Sequence, residues 1–150
     1  MRSAALVLSF ALLTACAPSD EAPAADQAAD EAAAQGPTLA EVAGNYALTA
    51  IIGTDTVQST MIITADGAGS TLSLEGRPNI PLTVSMSGDS VVTQSAEYES
   101  VLRAGTMVTV RTAAVRGADG SSLNGNMVAT YKTAEGEQVV NGTVVGRKVQ

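Results

Sequence analysis

The sequence predicts an all-β domain, an eight-stranded antiparallel up-and-down barrel, set behind a signal peptide and a disordered tether. Three observations predict it. From residue 38 onward Val, Ile, Thr, Ser and Gly recur in short alternating runs, the period of strands with one buried and one solvated face. Gly and Asp gather between the runs, where tight hairpins need positive φ. No amphipathic helical stretch is present to cover the end strands of an open sheet, and closing the sheet removes its edges. A two-sheet β-sandwich is the alternative arrangement of the same strands.

Element by element, Thr38-Leu39-Ala40-Glu41 has the spacing of a capping box and predicts one helical turn before the first strand. Strands are expected at about 44–52, 56–65, 70–75, 80–87, 90–99, 105–116, 121–132 and 137–148. Most are separated by turn residues: Gly53, Ala65-Asp66-Gly67-Ala68-Gly69, Gly88-Asp89, Gly117-Ala118-Asp119-Gly120 and Glu135-Gly136. The cleanest alternation sets Ile80, Leu82, Val84 and Met86 against Pro81, Thr83, Ser85 and Ser87. The rest of the inward set is Tyr46, Leu48, Ile52, Val57, Met61, Ile63, Leu72, Leu74, Val92, Tyr98, Val108, Val110, Leu123, Met127, Ala129 and Tyr131. In the last strand Val139, Val140, Val144 and Val145 form doublets, so its facing stays open. Ala50, Gly125 and Ala129, if inward, leave room inside. An eight-stranded barrel is just wide enough to be filled by side chains or to hold one small ligand.

The first third of the chain is built differently. Arg2 precedes an apolar run from Ala4 to Leu13, which ends in small residues at Thr14-Ala15-Cys16. About ten apolar residues suit a secretory signal, whereas a spanning helix needs about twenty. Leu13-Thr14-Ala15-Cys16 resembles the lipobox of bacterial lipoproteins. That resemblance implies cleavage between Ala15 and Cys16, acyl lipid on the Cys16 thiol, and anchoring in the cell envelope. Ala17 and Pro18 lack the aspartate that marks inner-membrane retention in enterobacterial lipoproteins, so the expected location is the outer membrane, facing the periplasm. Residues 17–37 contain only Ala, Pro, Asp, Glu, Gln, Ser and Gly, with nothing larger than Ala to enter a core. The expected domains are thus 1–15 signal peptide, 16–37 lipidated Cys16 and tether, and 38–150 barrel.

The barrel has a second resemblance. Gly44-Asn45-Tyr46 opens the first strand after a helical turn, and Arg147 lies near the end of the last. This layout resembles the lipocalin and avidin-like group of small barrels, in which Gly-x-Trp begins the first strand and an arginine from the last strand packs across the ring. Tyr replaces Trp here. The resemblance implies architecture, with Tyr46 and Arg147 as a candidate barrel closure, and says nothing of ligand identity.

Composition narrows the chemistry. The chain carries 15 acidic and 8 basic residues, for a net charge of −7. Asp20, Glu21, Asp26, Asp30 and Glu31 place most of that excess on the tether. No basic stripe is present for nucleic acid. There is no His and a single Cys, which removes His-dependent nucleophiles, His/Cys zinc sites and internal disulfides. Asp55, Asp66, Asp89 and Asp119 sit in turns, where a short carboxylate caps local backbone. The Asp66-Gly67 and Asp119-Gly120 turns lack the ligand count that calcium requires. Glu97 and Glu99 flank Tyr98 on one face of a strand, the pairing a glycosidase uses, but equally an ordinary solvated face. No catalytic, metal or cofactor site is expected.

The least generic stretch is Tyr98-Glu99-Ser100-Val101-Leu102-Arg103-Ala104-Gly105, which keeps bulky residues where a plain turn would not. Val101, Leu102 and Arg103 form a candidate rim contact. The competing reading, and the favoured one, is a lid over one barrel end, with Arg103 bonding strand-end carbonyls. The sequence leaves three functions open: a non-enzymatic binding protein for a small apolar ligand or an envelope partner, an inhibitor of a periplasmic hydrolase such as lysozyme or a protease, and a structural element of the envelope.

Overall fold

The computed structural model describes residues 36–149. The expected signal peptide, Ala15, Cys16 and the tether up to residue 35 lie outside the described residues. Within them runs α1 (Leu39–Val42), then β1 (Gly44–Ile52), β2 (Asp55–Ile63), β3 (Thr71–Ser73), β4 (Ile80–Ser87), β5 (Ser90–Ser95), β6 (Tyr98–Glu99), β7 (Met107–Arg116), β8 (Ser122–Thr133) and β9 (Gly136–Val149). Each strand pairs antiparallel with its neighbours. The ring closes at two further seams, β5 on β7 and β1 on β9, the latter from Asn45↔Val149 to Ile51↔Thr143. The domain is therefore a closed eight-stranded antiparallel barrel, with β6 as an extra two-residue strand on β7.

The strand expected over 90–99 is interrupted, and the register shows why. Gln94 faces Arg111 while Tyr98 faces Val108, so three residues on one side (Ser95, Ala96, Glu97) oppose two on the other (Val110, Thr109). This is a β-bulge. Ser95 Oγ accepts the Val110 N–H at 2.8 Å, taking over a ladder bond that the bulge displaces. The extra residue also flips the facing. Before the bulge Val91, Thr93 and Ser95 are buried, and after it Tyr98 turns inward. Val92, expected inside, is consequently outside, opposite Ser85 and Ala113 on the outer wall. The other inward residues face the core or the lumen as expected.

One end of the barrel is sealed. The Glu41 carboxylate accepts from the Thr38 backbone N–H at 2.6 Å and from its hydroxyl at 2.9 Å, which fixes the single turn of α1. That turn presses fully buried Val42 into the barrel mouth. Tyr46 donates its hydroxyl to the Val42 carbonyl at 2.7 Å, locking the turn onto β1. Around this pair pack Leu48, Met61, Ile63, Val91, Ala114, Leu123 and Val144. A second, smaller cluster of Val108, Ala129 and Tyr131, flanked by Tyr98, Val110 and Val140, lies toward the other end.

The facing of β9 is settled by its partners. Val140 opposes buried Ala129, and Val144 is itself buried, so the even-numbered residues point inward while Val139 and Val145 are exposed. This phase corrects the expected barrel closure. Arg147 falls on the outer face and is exposed, whereas Lys148 swings over the Tyr46 ring, with Nζ 5.9 Å from its centroid. The Lys148 stem crosses above Gly44, where a Cβ would lie 2.3 Å from Cε. The backbone reason for a glycine there is its φ of 148°, which residues with a side chain rarely adopt, and the flexible Lys148 stem fills the space beside it.

Gly125 faces inward but makes no room there. A Cβ at Gly125 would lie 2.1 Å from the Ala113 carbonyl oxygen and 2.5 Å from the Ala114 Cα, both backbone atoms of β7. β7 and β8 can approach this closely only at a residue without a side chain. Gly125→Ala is therefore expected to lower stability by about 1–3 kcal/mol, the usual cost of overpacking a site that cannot relax. Urea denaturation of the two proteins measures it, and an unchanged midpoint would show that the strands have slack.

Candidate functional site

Beyond the sealed end the barrel is hollow, and the second cluster forms part of the cavity wall. The cavity has a volume of about 80 Å³, counted as room for the centres of water molecules. Its wall runs from Leu48, Leu123 and Gly146 near the sealed end to Tyr98, Val101, Leu102 and Tyr131 at the other. Ala50 and Ala129 are on this wall and do leave room, as small inward residues should. Its polar groups are the hydroxyls of Ser59, Thr93, Ser95, Ser100, Thr112 and the two tyrosines, and no lining side chain carries a charge.

The loop from Ser100 to Thr106 lies across the unsealed end. It holds itself together with its own polar groups. The buried Ser100 hydroxyl accepts the Leu102 and Arg103 N–H groups at 3.0 and 3.1 Å. Ser100 N donates to the Thr106 carbonyl at 2.8 Å, and Glu99 Oε1 accepts the Gly105 N–H at 3.0 Å. With the backbone so tied, Val101 and Leu102 are turned toward the lumen, and Val101 keeps 42% of its surface exposed. Rim contact and lid, posed as alternatives, share the same residues.

Arg103 fastens the loop to the wall by a route the sequence did not indicate. Its guanidinium stacks 4.2 Å from the Tyr131 ring centroid and donates to the Gln138 side-chain oxygen, where a strand-end carbonyl was expected. β8 and β9 bring these two partners together directly, since Tyr131 opposes Gln138 in their register. On the opposite flank Arg77 donates to the Glu99 carbonyl.

The expected turn carboxylates that have partners spend them on their own turns. Asp66 accepts the Ala68 N–H at 3.0 Å. Asp119 accepts the Ser121 hydroxyl and N–H, which hold its carboxyl below the usual range. Glu97 pairs with Lys132 and Glu99 caps the loop, so the two glutamates act separately. Among the described residues no three metal-ligating side chains converge. No protein-family model matches the chain, and no curated protein matches it in sequence.

Tyr98 reports on this end of the lumen. Burial, together with the neighbouring Tyr131, pushes its phenol up to about 12, against 10.0 ordinarily, with Arg77 pulling weakly the other way. Burial also raises Tyr46. A raised folded-state value means that stability is intact below pH 10 and is lost as the pH rises toward 12. Tyr98→Phe is expected to flatten part of that alkaline loss, leaving the Tyr46 share, as measured by urea midpoints across the range. An unchanged alkaline slope would mean that Tyr98 is hydrated.

The lid predicts its own response. Ser100→Ala strands two loop N–H groups and is expected to cost about 1–3 kcal/mol of local stability. Arg103→Ala removes a solvent-facing cation–π contact worth about 0.5–1 kcal/mol. Both substitutions are expected to speed amide hydrogen exchange at residues 101–105 and to leave β1 and β9 unchanged. Equal acceleration in those strands would show that the loop unfolds only with the whole barrel.

Proposed function

We propose that the protein is a non-enzymatic, lipid-anchored envelope protein whose barrel holds a small apolar ligand. The observation that carries this reading is the lumen with an uncharged wall, sealed at one end and crossed by an ordered loop at the other. Burying a charge in such a wall is costly, so the bound part of the ligand is apolar. Anchoring rests on Leu13-Thr14-Ala15-Cys16, with Cys16 as the lipidated residue and Ala15–Cys16 as the cleavage site. The expected address is the periplasmic face of the outer membrane. The barrel needs no catalytic group for this role.

Residues 36–150 contain the whole closed ladder and the sealing turn, so the barrel can be studied as that fragment. Native mass spectrometry of the fragment, purified from a bacterial host without detergent, is expected to show one added small molecule per barrel. Repeated recovery of ligand-free protein that also refuses apolar dyes would remove the reading.

A second reading draws on the unsealed end, to which the strand order brings Asp55, Glu75, Glu97, Glu99, Glu135 and Glu137 against Arg77, Arg103 and Lys132, an acidic excess at the end where Val101 is exposed. Acidic groups around an apolar tip suit a basic protein partner, as an inhibitor of a hydrolase such as lysozyme would require. If the fragment fails to slow lysozyme and a protease panel at micromolar concentration, that reading falls. A structural role in the envelope has no observation of its own in its favour.

A further inference from the structure

The lumen is far longer than it is wide. Leu123, Met127, Ala129 and Tyr131 of β8 all face it. Leu123 to Tyr131 spans about 26 Å of strand at about 3.3 Å per residue, or about 20 Å along the axis at the usual tilt of eight-stranded barrels. Spread over that length, 80 Å³ is a thread one chemical group wide. A fused ring or a branched skeleton would have to push the wall outward, and a closed hydrogen-bond ladder gives little.

The chemistry of the wall agrees with its shape. Leucine, valine, alanine and methionine dominate it, and Met61 and Met127 can change rotamer to suit a thin occupant. Two of the wall hydroxyls, Ser95 and Ser100, already accept backbone N–H groups. The Tyr46 layer blocks passage at the sealed end, so an occupant enters past the Ser100–Thr106 loop and has one blind end. Glu99 and Arg103 flank that entrance, whereas no charged side chain lines the bore.

The geometry points to a single unbranched aliphatic chain as the occupant, threaded tail first, with any polar head left at the rim beside Arg103. This inference rests on the apolar-ligand reading above and narrows it to one class of molecule.

Dodecan-1-ol and cyclododecanol test it, because they share a carbon count and a hydroxyl and differ in shape. Each is titrated into residues 36–150 carrying carbon-13 methionine methyl groups, with stoichiometry read by native mass spectrometry. Dodecan-1-ol is expected to bind one per barrel and to shift Met61 and Met127 while leaving exposed Met107 in place. Cyclododecanol is expected to bind about ten-fold more weakly or worse, the penalty of forcing a packed wall apart. Equal or tighter binding of the ring overturns the threaded chain and leaves the apolar-ligand reading standing. Binding that moves Met107 but neither Met61 nor Met127 puts the molecule on the outside and overturns both. As a second variant, Ala129→Leu narrows the bore and should abolish the dodecan-1-ol shifts. If folded A129L protein binds dodecan-1-ol unchanged, the inference is overturned.

Discussion

The seam between β1 and β9 is the constraint on which the rest of the molecule depends. It joins the first strand to the last over Asn45↔Val149 through Ile51↔Thr143, and it leaves the sheet no edge on that side. Once it closes, each of the eight strands has an inside and an outside, and alternation assigns residues to them except across the bulge at Ser95–Glu97. It also sets the two ends apart. β1 starts and β9 stops at the same end, so Gly44, Tyr46 and Lys148 meet there with the helical turn and seal it. The other end has short turns between β1 and β2 and between β8 and β9, and it is covered by the Ser100–Thr106 loop.

The closed ring, its eight wall strands and nearly all of its interior were legible in the sequence, because hydrophobic alternation and turn glycines speak to the same arrangement. What was not legible follows from degenerate local pattern. Val91-Val92, Val139-Val140 and Val144-Val145 are doublets, and a doublet fits either phase equally well. For Val91-Val92 the deciding event is the bulge at Ser95–Glu97, which lets Tyr98 point inward even though Val92 does not. A reading that extends one phase from Tyr98 back to Val92 crosses the bulge and inverts. Arg147 and Lys148 are adjacent cations, so choosing between them required the phase of β9, which the doublets withheld.

The site was legible in outline. The 98–105 stretch stood out for bulky residues in a connection, and of these Val101 and Leu102 line the lumen while Arg103 ties their loop to Tyr131 and Gln138. The latch to Tyr131 and Gln138 was hidden because it pairs residues 28 and 35 positions away, through a register that no local pattern specifies. Ser100 is similar: a buried serine accepting two N–H groups has no sequence mark that separates it from exposed serines such as Ser85, Ser87 and Ser121. The volume of the bore depends on how every inward side chain settles at once, so no single residue announces it.

The polypeptide enters the barrel at the sealed end, where Gly36 lies against the Gly88–Asp89 turn and α1 follows directly. The lidded end is at the opposite pole. A label or fusion joined directly ahead of residue 36 therefore starts at the pole opposite the Ser100–Thr106 loop and leaves that loop uncovered.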